Sequence, residues 1–281
     1  MTKDEVRLLI SQMQIVFPVV RLVEASLSCQ FTLLPDGTLQ EEPYRCYTAW
    51  KKQRRCDNCI SAKALTQKGR MAKFEFVDHN IYYVIAIYLE IDGAPYVLEM
   101  VSQVTDDTLL GAYGKEQFVH DVAAYNRRLY VDPLTGAYNR HYFEEQLQGL
   151  SNLSALSFLD LDGFKTVNDT WGHQTGDAAL KAAAGAIFGC IRNTDALIRY
   201  GGDEFLLIFW NMPRDAFAPK LEQIRSAVER VQLEAHPQIR LTVSIGALYR
   251  SGTPLDLIAD ADRLLYQAKR SKNHVCVKLE P

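Results

Sequence analysis

Carboxylates at Asp160, Asp203 and Glu204, a lysine at Lys165 and glycines beside them are the residues of this chain best suited to chemistry on a phosphorylated ligand. The apolar run Ala155-Leu156-Ser157-Phe158-Leu159 reads as a strand that delivers Asp160-Leu161-Asp162 at its end. Ala196-Leu197-Ile198 and the run Phe205 to Trp210 read as two more strands, with Gly201, Gly202, Asp203 and Glu204 at the hairpin tip between them. Glycine there permits a positive φ and lets a ligand approach the backbone closely. Magnesium prefers hard oxygen ligands and commonly uses one or two carboxylates plus phosphate oxygens, so Asp160 and Asp203 on adjacent strands suffice for it. The plain alternatives are a strand-end turn aspartate and an ordinary acidic hairpin.

Two neighbouring stretches fit the same ligand. Chain turning at Gly163-Phe164-Lys165 leaves backbone N–H groups free for phosphate oxygens, and Lys165 adds a point charge. The Watson–Crick edge of guanine offers donors that one carboxylate accepts together, whereas adenine presents a lone pair to the same oxygens, so a well-placed aspartate selects GTP over ATP. Asp177 follows Gly176 and precedes the helical stripe Leu180, Ala183, Ala184, Ile187 and Ile191, so its position alone reads as an N-cap.

The elements that must position these groups extend in both directions. Downstream, Leu257, Ile258, Ala261, Leu264, Leu265 and Ala268 mark an amphipathic helix with a basic end, Lys269-Arg270-Ser271-Lys272, which can reach phosphates or simply complement the helix dipole. Upstream, Pro133 stops a helix and Thr135 can cap the next, so Asp132 to Arg140 reads as a helix-to-helix turn. Before it, Phe118, Val122, Tyr125 and Leu129 form a stripe that either pairs two chains or packs on its own domain.

In the N-terminal half, Phe31 to Leu34 precedes the turn Pro35-Asp36-Gly37, short helical stretches follow at Tyr47 to Trp50 and Ser61 to Thr66, and three strands follow at Lys73 to Val77, Ile81 to Tyr88 and Tyr96 to Val101. With 281 residues and 48% hydrophobic content, two domains are expected, and a net charge of −3 gives no reason to expect nucleic-acid or anionic-membrane binding. The N-terminus lacks a secretory pattern and no apolar run approaches the roughly 20 residues of a membrane span, so the expectation is a soluble cytoplasmic protein. Cys46, Cys56 and Cys59, with Cys29 as a fourth thiolate or His79 as a substitute, offer a zinc site, with a redox pair or plain buried thiols as alternatives; Cys190 and Cys276 read as core fillers.

Asp132-Pro133-Leu134-Thr135-Gly136-Ala137-Tyr138-Asn139-Arg140, Asp160 to Asp169 and Gly201 to Phe205 resemble, in order, motifs of the GGDEF family of diguanylate cyclases over about residues 128 to 278. The resemblance implies a fold of α+β class with a ferredoxin-like or polymerase-palm-like antiparallel sheet, and condensation of two GTP into cyclic di-GMP across a homodimer. It assigns Asp160, Asp203 and the carbonyl of Leu161 to Mg²⁺ (or Mn²⁺), and Gly163, Phe164, Lys165, Lys269 and Lys272 to phosphates. It gives Asn168 and Asp177 the guanine, and Arg192 and Asp195 a product-inhibitory site. Asp203, Lys165 and Glu204 become the catalytic set, with Asp203 better suited to holding metal than to acting as base. This chain departs from the family's A-K-x-x-G-R-N segment, reading Ala268-Lys269-Arg270-Ser271-Lys272-Asn273 without the glycine, which puts the second phosphate cation in doubt. His173 matches a family position and reads as structural.

The N-terminal pattern of two early strands, short helices and three later strands resembles a PAS-type sensory domain over roughly residues 15 to 106. The expected division is residues 1–112 PAS-like, 113–131 connecting helix and 132–281 GGDEF. A non-catalytic receptor for GTP or cyclic di-GMP is the alternative, against which Asp160, Lys165, Asp203 and Glu204 argue. A cyclic di-GMP phosphodiesterase lacks its E-A-L segment here.

Overall fold

Apolar segments broken by turn residues build one sheet in each of two units of the computed structural model, antiparallel in the first and mixed in the second; the structure describes residues 1–78, 80–105 and 114–280 apart from the side chain of Lys115. One unit comprises residues 1–129 and 145–150, the other 130–144 and 151–281. His79 and the expected boundary between residues 112 and 113 lie outside the described residues.

The first unit opens with helix α1 (Lys3–Met13), closed at its start by a capping box between Thr2 and Glu5. Strands β1 (Val19–Glu24), β2 (Cys29–Leu33) and β3 (Leu39–Arg45) follow, then a 3₁₀ turn at Cys46–Trp50 and α2 (Ile60–Gln67). Strands β4 (Arg70–Val77), β5 (Asn80–Ile91) and β6 (Ala94–Val104) form an antiparallel meander, and α3 (Gly114–Tyr130) leaves it. The strand order is β3-β2-β1-β6-β5-β4. Two early strands are expected from the sequence, and there are three. The third, Leu-Gln-Glu-Glu-Pro-Tyr-Arg, is polar and holds Pro43, both tolerated because it lies at the sheet edge.

Of the α3 stripe, Phe118 packs edge-on against Phe74 and Phe76 of the same unit, while Tyr125 is exposed. The reading in which the stripe packs on its own domain therefore holds for Phe118.

In the second unit, the turn after α3 is built around Asp132, whose carboxylate accepts from the amide and hydroxyl of Thr135 at 2.8 and 2.6 Å. Thr135 does not cap a helix as expected. Asn139, at the end of β7 (Tyr138–Asn139), does so, accepting from the Tyr142 amide at the start of α4 (Arg140–Tyr142). Strand β8 (Leu153–Leu161) is followed by α5 (Phe164–Trp171), α6 (His173–Phe188), β9 (Ala196–Arg199) and β10 (Glu204–Phe209). Helix α7 (Arg214–Glu229), β11 (Val243–Gly252), α8 (Pro254–Ala268) and β12 (Val275–Leu279) complete it.

The sheet runs β12-β11-β8-β10-β9-β7, and its middle four strands carry the β-α-β-β-α-β connectivity of a ferredoxin-like sheet. Leu159, Phe205, Leu207 and Phe209 from the strands meet Leu180, Ala183 and Ile187 of α6 and Phe217, Leu221 and Ile224 of α7 in one core. That core fixes β8 beside β10, and hence Asp160 beside the hairpin. Among the described residues no helix is long and apolar enough to cross a membrane.

Candidate active site

Asp160 ends the buried face of β8 and lies in register with Glu204 on β10 and Ser244 on β11. Asp203 stands one residue before β10, and its carbonyl accepts from the Leu161 amide at 3.3 Å. Three acidic residues are thus gathered at neighbouring strand ends. Lys269, at the end of α8, donates its ammonium to Asp160 Oδ2 at 2.7 Å. Burial pushes the Asp160 carboxyl up to about 6; the Lys269 hydrogen bond opposes this, while the charges of Asp203 and Glu204 add to it. Burial works against charge on Lys269 as well, but Asp160, Glu204 and Asp203 outweigh it and hold the ammonium above the ordinary lysine value.

Among the described residues no three His, Cys, Asp or Glu side chains form a metal-binding group on their own. Hard carboxylate oxygens gathered at these strand ends nevertheless fit a hard divalent cation.

The hairpin tip differs from expectation in one respect. Neither Gly201 nor Gly202 has a positive φ. At Gly201 a methyl would stand 2.6 Å from Glu204 Oε2, so the glycine leaves room for that carboxylate in its present position. Arg199 holds the tip from within: its guanidinium donates to the Gly202 carbonyl at 2.8 and 3.1 Å and to both oxygens of Asp132 at 3.1 and 3.2 Å. Sequence reasoning assigned Arg199 no role, although its place before the glycines marks it as a residue able to brace a turn.

Gly163 is left-handed, with φ +69°, and leads into α5, so the first amides of that helix point out beside Phe164 and the exposed Lys165. Asn168 on α5 faces α6 at Gly176, where a methyl would stand 1.9 Å from Asn168 Oδ1. Only a glycine admits that approach. Asp177 follows it, exposed, in the second turn of α6. The expected rival role of Asp177 as N-cap is overturned, because α6 begins at His173 with Gly172 at its cap. His173 itself is exposed at the helix start.

Arg192 and Asp195 close on each other: the guanidinium donates to Asp195 Oδ1 at 3.2 Å and to the Trp210 carbonyl at 3.0 Å, and the Arg192 amide donates to Asp195 Oδ2 at 3.0 Å. Burial pushes the Asp195 carboxyl up, against the pull of Arg192. Lys272 is exposed in the turn after α8, with φ +54°.

The four cysteines of the N-terminal half divide by partner. Cys29 donates to Glu41 Oε1 at 2.9 Å and contacts Arg45, and burial with that hydrogen bond pushes its thiol up to about 12. Cys46 and Cys56 are buried, and burial raises both thiols, Cys59 adding to the effect on each. Among the described residues these thiols do not make a metal-binding group. Cys190 and Cys276 are half-buried and not within the core, Cys190 packing against its edge.

A family model described as the diguanylate cyclase, GGDEF domain matches residues 129–274. The uncharacterized protein YhcK of Bacillus subtilis is 38% identical over 166 residues, covering 54% of this chain and 46% of that protein. Diguanylate cyclase DosC of Escherichia coli is 37% identical over 182 residues, covering 60% of this chain and 37% of DosC. The chain thus spans less than half the length of these relatives. Among solved structures, the coiled coil and GGDEF domain of DgcB from Caulobacter crescentus, in complex with c-di-GMP, aligns with 58% of this chain and 93% of its own at 30% identity and a TM-score of 0.53.

Proposed function

The chain belongs to the GGDEF family of diguanylate cyclase domains, and we propose that it condenses two GTP into cyclic di-GMP and two pyrophosphates. The observation that carries this reading is the meeting of Asp160, Glu204 and the Lys269 ammonium at the ends of β8, β10 and α8.

In each of two identical steps, the 3′-oxygen of one GTP bonds to the α-phosphorus of the other. The bond from that phosphorus to the α,β-bridging oxygen breaks, pyrophosphate leaves with the electron pair, and the hydroxyl proton passes to water or a carboxylate. Asp160, Asp203 and the Leu161 carbonyl would hold magnesium or manganese, which neutralises phosphate charge and acidifies the attacking hydroxyl. The amides after Gly163, with Lys165, hold the outer phosphates and stabilise charge on departing pyrophosphate. Lys269 and Lys272 add cations at the same end. Asn168 and Asp177 read the guanine edge, and their placement on facing helices α5 and α6 supports that role. Glu204 lies beside the metal carboxylates.

One domain holds one GTP, so two chains must face each other, and the working enzyme is a homodimer. Arg192 and Asp195 bind product as an inhibitory site once their mutual pair opens. The first unit is a PAS-like sensory module, a reading supported by its early strands, intervening short helices and final three-stranded meander. An enzyme that uses GTP and keeps free thiols operates in the cytoplasm.

Purified protein incubated with GTP and Mg²⁺, under reducing conditions and at concentrations that promote dimers, is expected to yield cyclic di-GMP and pyrophosphate in a one-to-two ratio on chromatography. GTP retained without turnover would move the chain into the receptor class.

A further inference from the structure

Asp162 lies two residues beyond Asp160, yet its carboxylate is committed elsewhere. Oδ1 accepts from the Ser244 hydroxyl at 2.7 Å, and Oδ2 accepts from the Thr242 hydroxyl at 2.8 Å and the Asn273 amide at 2.7 Å. Its own amide donates to the Thr242 carbonyl at 2.9 Å. One side chain thus ties the end of β8 to the start of β11 and to the turn between α8 and β12.

That turn is unusual in its backbone. Lys272 and Asn273 are consecutive left-handed residues, with φ of +54° and +44°, and neither is a glycine. A side chain makes the left-handed region costly, and two in succession persist only where surrounding contacts over-determine them. The contacts are present. Besides the bond from its amide to Asp162, Asn273 accepts from Arg225 through Oδ1 at 2.7 Å and donates to Glu229 through Nδ2 at 2.7 Å. The turn also closes α8, with the amides of Ser271 and Lys272 both donating to the Ala268 carbonyl at 3.1 Å. Lys269, which reaches Asp160, and Lys272 flank this closure.

We propose that Asp162 is a positioning residue for the triphosphate: by clamping the Asn273 amide it holds an otherwise strained turn and so aims Lys269 and Lys272 at the phosphates. Where a glycine would enter the left-handed conformation freely, this chain uses a carboxylate clamp in its place. The inference rests on the proposed GTP chemistry of the same site.

The test compares wild type, Asp162→Ala, Asp162→Asn, Lys272→Ala and the double variant Asp162→Ala/Lys272→Ala. The probe is a GTP analogue with a methylene group between the α- and β-phosphorus atoms, titrated calorimetrically with Mg²⁺. Amide exchange at Asn273 and thermal melting are measured alongside. Asp162→Ala is expected to stay folded, to lose exchange protection at Asn273 and to bind the analogue about tenfold more weakly, while the double variant binds no more weakly than the weaker of the two single variants. Asp162→Asn, which keeps the size and one acceptor oxygen, is expected to fall between wild type and Asp162→Ala.

Analogue affinity unchanged in Asp162→Ala overturns the proposal, as do losses in the double variant that multiply. If Asp162→Ala does not fold, the same decision rests on Asp162→Asn: lowered affinity with exposed Asn273 supports the clamp, and a lowered melting temperature alone overturns it. A wild type that binds the analogue but makes no cyclic di-GMP refutes the proposed reaction and leaves the clamp to be decided by binding. A wild type that does not bind the analogue overturns both.

Discussion

Two buried carboxylates, Glu75 in the first unit and Asp160 in the second, stand in opposite electrostatic situations. Glu75 is gripped by Lys73 at 2.6 Å and Lys52 at 2.8 Å, and Lys73 also reaches the Asn58 carbonyl. Burial pushes the Glu75 carboxyl up, but the two ammonium groups outweigh it and hold it below the usual range. Burial pushes the Asp160 carboxyl up as well, and here the single ammonium of Lys269, set against two acidic neighbours, does not offset it. The first cluster is satisfied by the protein itself, whereas the second retains an excess of negative charge that a divalent cation would relieve. Depth of burial does not separate a structural ion pair from a site prepared for a ligand. The balance of neighbouring charge does.

The largest effect that would sharpen this contrast is catalytic. Asp160→Asn and Asp203→Asn are each expected to lower cyclic di-GMP formation by about a hundred- to a thousand-fold, the scale lost when one electrostatic group leaves a transition state. Because Asp160 is disfavoured as an anion, Asp160→Asn should not lower the melting temperature, and a marked drop would place Asp160 with the structural pairs. Next in size, Glu75→Ala leaves the buried Lys73 ammonium unmatched and should cost roughly 3 kcal/mol in denaturant unfolding of the first unit. An unchanged midpoint would erase the distinction from the other side.

The smallest effect concerns Asp132, where burial pushes the carboxyl up but Thr135 and Arg199 outweigh it and hold it below the ordinary range. A depressed carboxyl stabilises the fold fully above its unfolded value of about 4 and loses that contribution as pH falls through the lower folded value. Wild type should therefore exceed Asp132→Asn by about 1–2 kcal/mol at neutral pH, with the gap closing in acid. Melts at pH 7, 5 and 3 measure this, and a gap independent of pH would show that the charge of Asp132 contributes nothing.

The sequence made the chemistry of the second unit legible because its strands are continuous apolar runs that end in carboxylates, a pattern that fixes both register and direction. Asp160, Asp203 and Glu204 could be brought together on paper for that reason. Contacts made across the chain were not legible: Lys269 with Asp160, Asp132 with Arg199, and Asp162 with Asn273 each join residues far apart in sequence whose types alone name no partner. The edge strand Leu39–Arg45 escaped notice since only one flank pairs and no apolar alternation is required of it. The spacing of the cysteines left zinc, a redox pair and buried thiols open, and the contact of Cys29 with Glu41 is one that spacing does not name.

Arg199 gives the second unit a mechanical property. Because one planar group grips both the Gly202 carbonyl and the Asp132 carboxylate, the loop presenting Asp203 is yoked to the first turn after α3. Tension or torsion applied to the backbone at Val131 would reach that loop through the Arg199 side chain as well as through the pairing of β7 with β9.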